Sequence, residues 1–440
     1  MGHHIRTLTA LGACLALALT ACSSGDSSGG ASGDQAGTVS LWHFFSDREA
    51  DVLQSVVDDF EASHPGVTVD VHPGQDDEKL RKAIAAGSDV DVAISYSTDI
   101  VGNFCQSGAF QDLGPFIQRD GVDLDALPDQ VRAYTEFDGV RCAMPLLADA
   151  YGLYYNKTLL ADTGIAEPPK TLEDLQADAL ALTTYNPDGS IKTLGFNPWM
   201  GWQENAPAHL APAVGATWFD DQGAANISGD PAWAEIIDWQ KSFVDQIGVD
   251  KLQEFSAASA DEFSADNDFQ TGRVAMVMDG EWRVAFIDDQ APDIDYGTAP
   301  FPVAADHQDL YGGGYITGNI AGIAKGTKNA DLAWSLLKYL TTDTGAVTKL
   351  ADGLKNVPTT TDALTATDLH GNAHFATFLD IATDPHTLTT PPSANGAGYQ
   401  LAFADWWAGY QAGDAVSDLT PLLTDVDDQI DAAATLNDVP

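Results

Sequence analysis

The stretch TVSLWHFFSDREADVLQSVVDDFEASHPGVTVDVHPGQDDEKLRKAIAAGSDVDVAISYSTD, residues 38–99, carries the signature of the fold class. Val39 and Leu41 alternate as a half-buried strand. Ser46 and Glu49 stand at capping-box spacing, and Val52, Leu53, Val56, Val57 and Phe60 then recur at helical period. Pro65-Gly66 ends that helix, and Val67, Val69 and Val71 alternate as a second strand. Leu80, Ala83 and Ile84 mark a second helix stopped by Gly87, before a third strand through Val90, Val92 and Ile94. Strand, helix, strand, helix, strand predicts right-handed crossovers and a parallel sheet, hence an α/β fold.

Outward from this stretch the chain is mostly helical in its middle. Thr171 and Asp174 form a second capping-box spacing ahead of Leu172, Leu175, Leu180 and Leu182, and residues 233–247 form a longer amphipathic run. Strands are predicted at 151–155, 274–278, 294–298 and 320–324, and helices at 331–340 and 415–434. Repeats, coiled coils and nucleic-acid modules are not visible. A folded part of about 400 residues exceeds what one hydrophobic core serves, so two lobes are expected.

Toward the amino terminus, Arg6 precedes an apolar run over 8–19 that ends in Leu19-Thr20-Ala21-Cys22. This reads as a secretory signal, residues 1–21, with a lipobox-like end and lipidation at Cys22. The run is too short to span a bilayer. Cys14, in a second Leu-Gly-Ala-Cys match, would leave almost no apolar core before it and reads as part of the removed signal. Residues 22–37, rich in Ser, Gly, Ala and Asp, read as a flexible tether. The chain has 20 Lys and Arg against 65 Asp and Glu, a net charge of −45. Such a surface repels nucleic acid and anionic headgroups, and its plain role is solubility. Cys105 and Cys142 remain, in a compartment where disulfides persist; they are expected to pair, the alternative being two buried thiols.

Several segments, in order, resemble the maltose-binding-protein-like family of extracellular solute-binding proteins. They are LWHFFSDRE from Leu41, FEASHPGVTVDV from Phe60, AIAAGSDVDVAISYSTD from Ala83, QSGAFQDL from Gln106, PLLADAYGLYYNK from Pro145, PPKTLEDL from Pro168, VMDGEWR from Val277, GGGYITGNIAGIAKGTKN from Gly312 and AWSLLKYLTT from Ala333. Val90 stands where the family usually carries Pro. The resemblance implies a two-lobe periplasmic-binding-protein-like fold with a hinged ligand cleft. Its first lobe would take 38–147 and 299–355, and its second 148–298 and 356–440. It also implies a lipid-anchored receptor on the extracellular face of the membrane, monomeric, passing a di- or oligosaccharide to the permease subunits of an ABC importer.

Sugars present apolar C–H faces and a rim of hydroxyls, so a sugar site needs flat aromatic rings beside carboxylates, amides or Arg. Of ten Trp, six are candidate platforms: Trp42, Trp199, Trp202 and Trp282 near predicted element ends, and the Trp406-Trp407 pair near Tyr410. Trp233, Trp239 and Trp334 fall on amphipathic helices and read as core. Asp149, between two apolar runs, is costly to bury without a partner, and the resemblance assigns its position a sugar-binding acid. Asp99 either caps a helix or meets ligand; Tyr96 precedes it where the family often has an aromatic. Arg283 either donates to adjacent hydroxyls or is spent in an ion pair. His43, Asp47, Tyr151, Asp279, Gly313 and Tyr315 complete the candidate set, Gly313 because a glycine loop lets backbone approach a ligand.

No HExxH, GxSxG, phosphate-binding loop or paired Cys spacing is present, so an enzyme, a metal site and a cofactor are not expected. The paired carboxylates of a secreted glycoside hydrolase meet only in the fold, which keeps that class as an alternative. A receptor for a polyol or a sugar phosphate is another; phosphate would need convergent Arg or Lys, and only Arg283 offers itself near the expected cleft.

Overall fold

The structure, a computed structural model, describes residues 36–437. The signal, Cys22 and the tether up to residue 35 lie outside the described residues. Among the described residues eleven strands occur in chain order: β1 Gly37–His43, β2 Val67–His72, β3 Val92–Ser95, β4 Glu136–Phe137, β5 Val140–Arg141, β6 Ala143–Asn156, β7 Thr184–Tyr185, β8 Ile191–Phe196, β9 Val274–Gly280, β10 Tyr296–Ala299 and β11 Ile316–Ile323.

The opening βαβαβ unit forms as its patterning demands. β1 pairs in parallel with β2 on one side and β3 on the other, Leu41 lying opposite both Val71 and Val92. The helix Asp47–Ser63 turns Leu53, Val56, Val57 and Phe60 onto this sheet. They meet Trp334, Leu337 and Leu340 of the helix Ala330–Thr342 in one continuous core. Ser46 stands at the cap position without a side-chain cap bond, whereas Thr171 accepts from the Asp174 amide at 3.1 Å.

The full sheet order is β2-β1-β3-β11-β6-β9-β8-β7, with β10 on β6, and β4-β5 form a separate pair. β6 joins two sets of strands. Residues up to Ala150 pair antiparallel with β11, while those from Tyr151 onward pair with β9 and β10. Its 14 residues span roughly 45 Å at the rise of an extended strand. Thirteen of them are buried, so the strand lacks the alternation that would have announced its length, and only 151–155 is expected from the sequence. Val357 also bridges to Ala148, bringing a third chain segment to the same crossing.

The expected strands at 274–278, 294–298 and 320–324 correspond to β9, β10 and β11, and the expected carboxy-terminal helices to Ala330–Thr342 and Thr420–Asn437. β7 and β8 are not anticipated by the sequence patterns. Cys105, on the helix Ile100–Ser107, is joined in a disulfide to Cys142 immediately before β6.

Candidate functional site

A cavity of about 1120 Å³ opens where the two strand sets meet. It lies at the carboxyl end of β1, the usual place for ligands in open α/β sheets. One wall is the β1-to-helix turn, Phe44 to Glu49, together with Tyr96 after β3. The facing wall is Phe263, Trp282, Ala285 and Phe286, with Asp288, Asp289 and Gln290. Asp149, Asn319 and the segment Leu354 to Asn356 form the floor. Two cavity residues that are not glycine hold left-handed backbone, Asp47 at φ 47 and Lys355 at φ 63, a strain that concentrates at binding sites.

The floor is built from remote segments. Asn356 Nδ2 donates to Asp149 Oδ1 at 2.7 Å and to Glu281 Oε1 at 2.8 Å. The Ala150 amide donates to Glu281 Oε2 at 2.8 Å, and the Glu281 amide donates to the Ala150 carbonyl at 3.1 Å. Burial raises both carboxyls above the usual range, and the neighbouring Asp149 pushes Glu281 further up.

Behind the Trp282 wall lies a second acidic group. Arg283 donates to Asp279 at 2.6 Å and to the Glu262 carbonyl at 2.9 Å, and its guanidinium lies over Phe263 and Phe286. Glu204 and Glu262 are both raised, by burial first and then by neighbouring carboxylates. His209, whose pKa burial lowers to about 4, bonds the Glu204 carbonyl through Nδ1 and packs its ring 4.1 Å from that of Tyr151.

Of the residues singled out in the sequence, Asp47, Tyr96, Asp149 and Trp282 line the cavity. Tyr96 is more than half exposed, and Trp282 stands edge-on to Tyr151 at 5.3 Å. Asp99 occupies the helix cap position but makes no cap bond; it accepts from Gln400 Nε2 at 2.8 Å. Tyr151, Gly313 and Tyr315 line a separate small enclosure with His209, and the Tyr315 hydroxyl bonds Thr390 at 2.9 Å.

Others sit elsewhere. Trp42 donates to Ser40 Oγ at 3.2 Å and packs on His72. His43 is fully enclosed, with neither ring nitrogen partnered and burial lowering its pKa to about 4. Trp199 is half-buried against the core, and Trp202 is buried with its indole donating to Ser259 Oγ at 2.9 Å. Trp406 stacks on Tyr410, whereas Trp407 is fully enclosed and donates to Gln240 at 3.0 Å. Asp279 and Arg283 are spent on each other, so for Arg283 the ion pair holds and its guanidinium is not turned to the cavity. Trp407 and Trp202 therefore pack the interior instead of offering a platform, because their indoles find partners inside the lobe.

Sequence reasoning missed Phe44, Phe45, Phe263, Phe286, Glu281 and Asn356. Phe44-Phe45 follows Trp42 in the segment from Leu41, and Glu281 precedes Trp282 in the segment from Val277, so both signals were present but attached to the neighbouring Trp. For Phe263, in a polar run, and for Asn356 there was no local signal.

The arrangement offers aromatic faces on both walls and hydrogen-bonding carboxyls and amides on the floor. Among the described residues no group of three or more His, Cys, Asp or Glu is placed to hold a metal ion, and no helix is long and apolar enough to cross a membrane.

The family model of bacterial extracellular solute-binding proteins matches residues 46–347. The maltotriose-binding protein of Pyrococcus abyssi is 27% identical over 332 residues, 74% of this chain and 68% of its own length. The maltodextrin-binding protein MdxE of Bacillus subtilis is 26% identical over 373 residues, 81% of each chain. Among solved structures, CpMnBP1 with mannotriose bound is similar at a TM-score of 0.76 and 23% identity, covering 89% of this chain and 99% of its own. At that identity the likeness is one of fold, the two-lobe architecture with a ligand cleft.

Proposed function

The chain belongs to the bacterial extracellular solute-binding protein family, and from that premise we propose that it captures a neutral oligosaccharide outside the cell and hands it to an ABC-type importer. The observation that carries the reading is the cavity itself. Phe44, Phe45 and Tyr96 on one wall face Phe263, Trp282 and Phe286 on the other, over a floor of Asp149, Asn319 and Asn356. Aromatic faces suit the C–H faces of sugar rings, and the floor suits their hydroxyls. The names of the relatives, maltotriose-, maltodextrin- and mannotriose-binding, support the same ligand class.

Charge argues against an anionic ligand such as a sugar phosphate. Asp47, Glu49, Asp149, Asp288 and Asp289 line the cavity against Arg48 and Lys355, and Arg48 donates to the Gly353 carbonyl at 2.7 Å.

In this reading Asp149 takes ligand hydroxyls and Trp282 stacks a ring. The lobes 38–147 with 299–355 and 148–298 with 356–440 close on the sugar about the β6 crossing, and closure signals occupancy to the permease. A lipid on Cys22 tethers the monomeric receptor to the outer face of the membrane. Intact-mass measurement of the native protein tests the anchor; an unmodified Cys22 refutes it.

Thermal shift and calorimetry with maltotriose and mannotriose test the ligand class. A sugar at 100 times its Kd should stabilise by about 2.7 kcal/mol. Small-angle scattering should show a smaller radius of gyration with ligand, and the sugar should be recovered intact after long incubation. Hydrolysis of the sugar would favour the glycoside hydrolase reading; no stabilisation by any neutral oligosaccharide would defeat the receptor.

A further inference from the structure

The cavity floor holds a feature that the ligand reading does not use. Glu281 is fully buried beside Asp149, and a single nitrogen, Asn356 Nδ2, bonds one oxygen of each carboxyl, at 2.7 Å and 2.8 Å. The donors bonded to them are the Asn356 amide, which serves one oxygen of each, and the Ala150 amide, which serves the second oxygen of Glu281. Two ionised carboxylates are acceptors only and repel each other when one donor holds them together, so a proton on one of them relieves the pair. The enclosure of Glu281 adds to this, since a charge there is taken out of water.

The titratable groups that act on the pair, or on which it acts, are acids and phenols. Asp149 feels Glu49 from the helix Asp47–Ser63, and it acts in turn on Tyr134, Tyr151 and Tyr315. Glu281 acts on Tyr151 and on Tyr154. Of the cations, Arg48 and Lys355 line the same cavity, with Arg48 turned to the Gly353 carbonyl.

We propose that Glu281 is a positioning residue for the ligand site: it carries a proton shared with Asp149 and so holds that carboxylate aimed at the sugar. Glu281 donates the proton, Asp149 accepts it, and Asn356 clamps both from the segment that returns across β6. Because Glu281 also continues the backbone ladder through Ala150, where β6 passes from one strand set to the other, the shared proton sits at the crossing on which the lobes turn. Loss of that proton sets two negative charges face to face with Asn356 between them, which loosens Asp149 and weakens binding. The proposal rests on the receptor reading for its functional consequence, though not for the shared proton itself.

Carboxyl-carbon NMR on the ligand-free protein tests the proton. The wild type should show two coupled titrations above the ordinary carboxylate range. Glu281→Gln, whose oxygen still accepts from Ala150 while its nitrogen takes the place of Oε1 and gives up the Asn356 bond, should leave one; Asp149→Asn should also leave one. Two independent titrations in the ordinary range would overturn the proposal whatever the ligand. Circular dichroism and melting confirm that both variants fold, and Asn356→Asp, which adds a further acid, should raise both titrations.

Calorimetry with maltotriose or mannotriose across pH tests the role. Wild-type affinity should fall in alkali by about tenfold, the value of one lost charge-assisted contact of about 1.4 kcal/mol. Glu281→Gln should bind at neutral pH and lose the alkaline fall. An identical alkaline fall in both proteins overturns the positioning role. Absence of binding by every neutral oligosaccharide at every pH defeats the receptor reading instead, and the NMR titration alone then decides whether the pair shares a proton.

Discussion

Gln400 donates from Nε2 to Asp99 Oδ1 at 2.8 Å, tying the start of the helix Ile100–Ser107 to a helix 301 residues further along the chain. Burial raises the Asp99 pKa and the Gln400 bond opposes that rise. Gln400→Ala should therefore raise it further and cost about 1–3 kcal/mol for the buried bond lost by the carboxylate, which keeps Ser97 as a partner. A carboxyl with a raised folded pKa contributes stability that is lost as pH rises, so the deficit should be larger in alkali than in acid. Urea melts at two pH values check this, and an equal deficit at both would refute it.

Gly102 lies against the same region, since a Cβ placed there would stand 2.0 Å from the Ser393 carbonyl oxygen. The clash is with backbone, so no side chain can swing aside. Gly102→Ala should cost about 1–3 kcal/mol by separating the helix from residues 393–396. An unchanged melting temperature would show that the segment gives way freely.

Trp282 and Trp407 should separate binding from stability. Trp282 lines the cavity, so Trp282→Ala should weaken oligosaccharide binding by about 2 kcal/mol with a small change in melting. Trp407 is fully enclosed, so Trp407→Ala should destabilise by about 3–5 kcal/mol. Calorimetry and denaturant melts on both variants test the pairing, and the reverse pattern would place the ring platform at the helix Gly398–Tyr410.

The Cys105–Cys142 disulfide closes a loop with a sequence separation of 37. In the chain-entropy model this stabilises by roughly 3–4 kcal/mol. Replacing both residues by Ala should lower stability by that order while leaving ligand affinity intact, because neither sulfur lines the cavity. Free-thiol titration of the unreduced, unfolded protein should find none among these two.

His43 and Asp77 should respond to pH with opposite signs. Burial lowers His43 from 6.5 to about 4, so it is neutral in the fold and takes up a proton on unfolding. Stability is lost as pH falls through that window. His43→Leu, which also removes two unpartnered nitrogens, should gain on the wild type progressively from about 6.5 down to about 4. Burial raises Asp77 from 3.8 to about 6, so its contribution is lost as pH rises. Asp77→Asn should gain on the wild type across that second window and level off above it. Chemical melts over the acid range distinguish the two, and parallel curves would contradict both assignments.

The sequence by itself determined the opening βαβαβ unit and the longer amphipathic helices at 172–182, 233–247, 331–340 and 415–434, because period-2 and period-3.6 patterns, caps and Gly breaks act within a few residues of one another. Val39, Leu41, Leu53, Val56, Val57 and Phe60 lie in the interior that their spacing predicts. It also marked Asp149 as an expensive charge, since an acid between apolar runs is conspicuous in one dimension. What completes Asp149 was not legible: Asn356 is 207 residues away and Glu281 is reached only when β9 is laid beside β6. The same holds for the aromatic residues. Trp282 and Trp407 are equally apolar at comparable element ends, yet one faces the cavity and the other donates to Gln240, 167 residues earlier. Which side of an element meets solvent, core or ligand depends on the segments packed against it, and those contacts are set by tertiary packing between positions whose separation carries no local periodic signal.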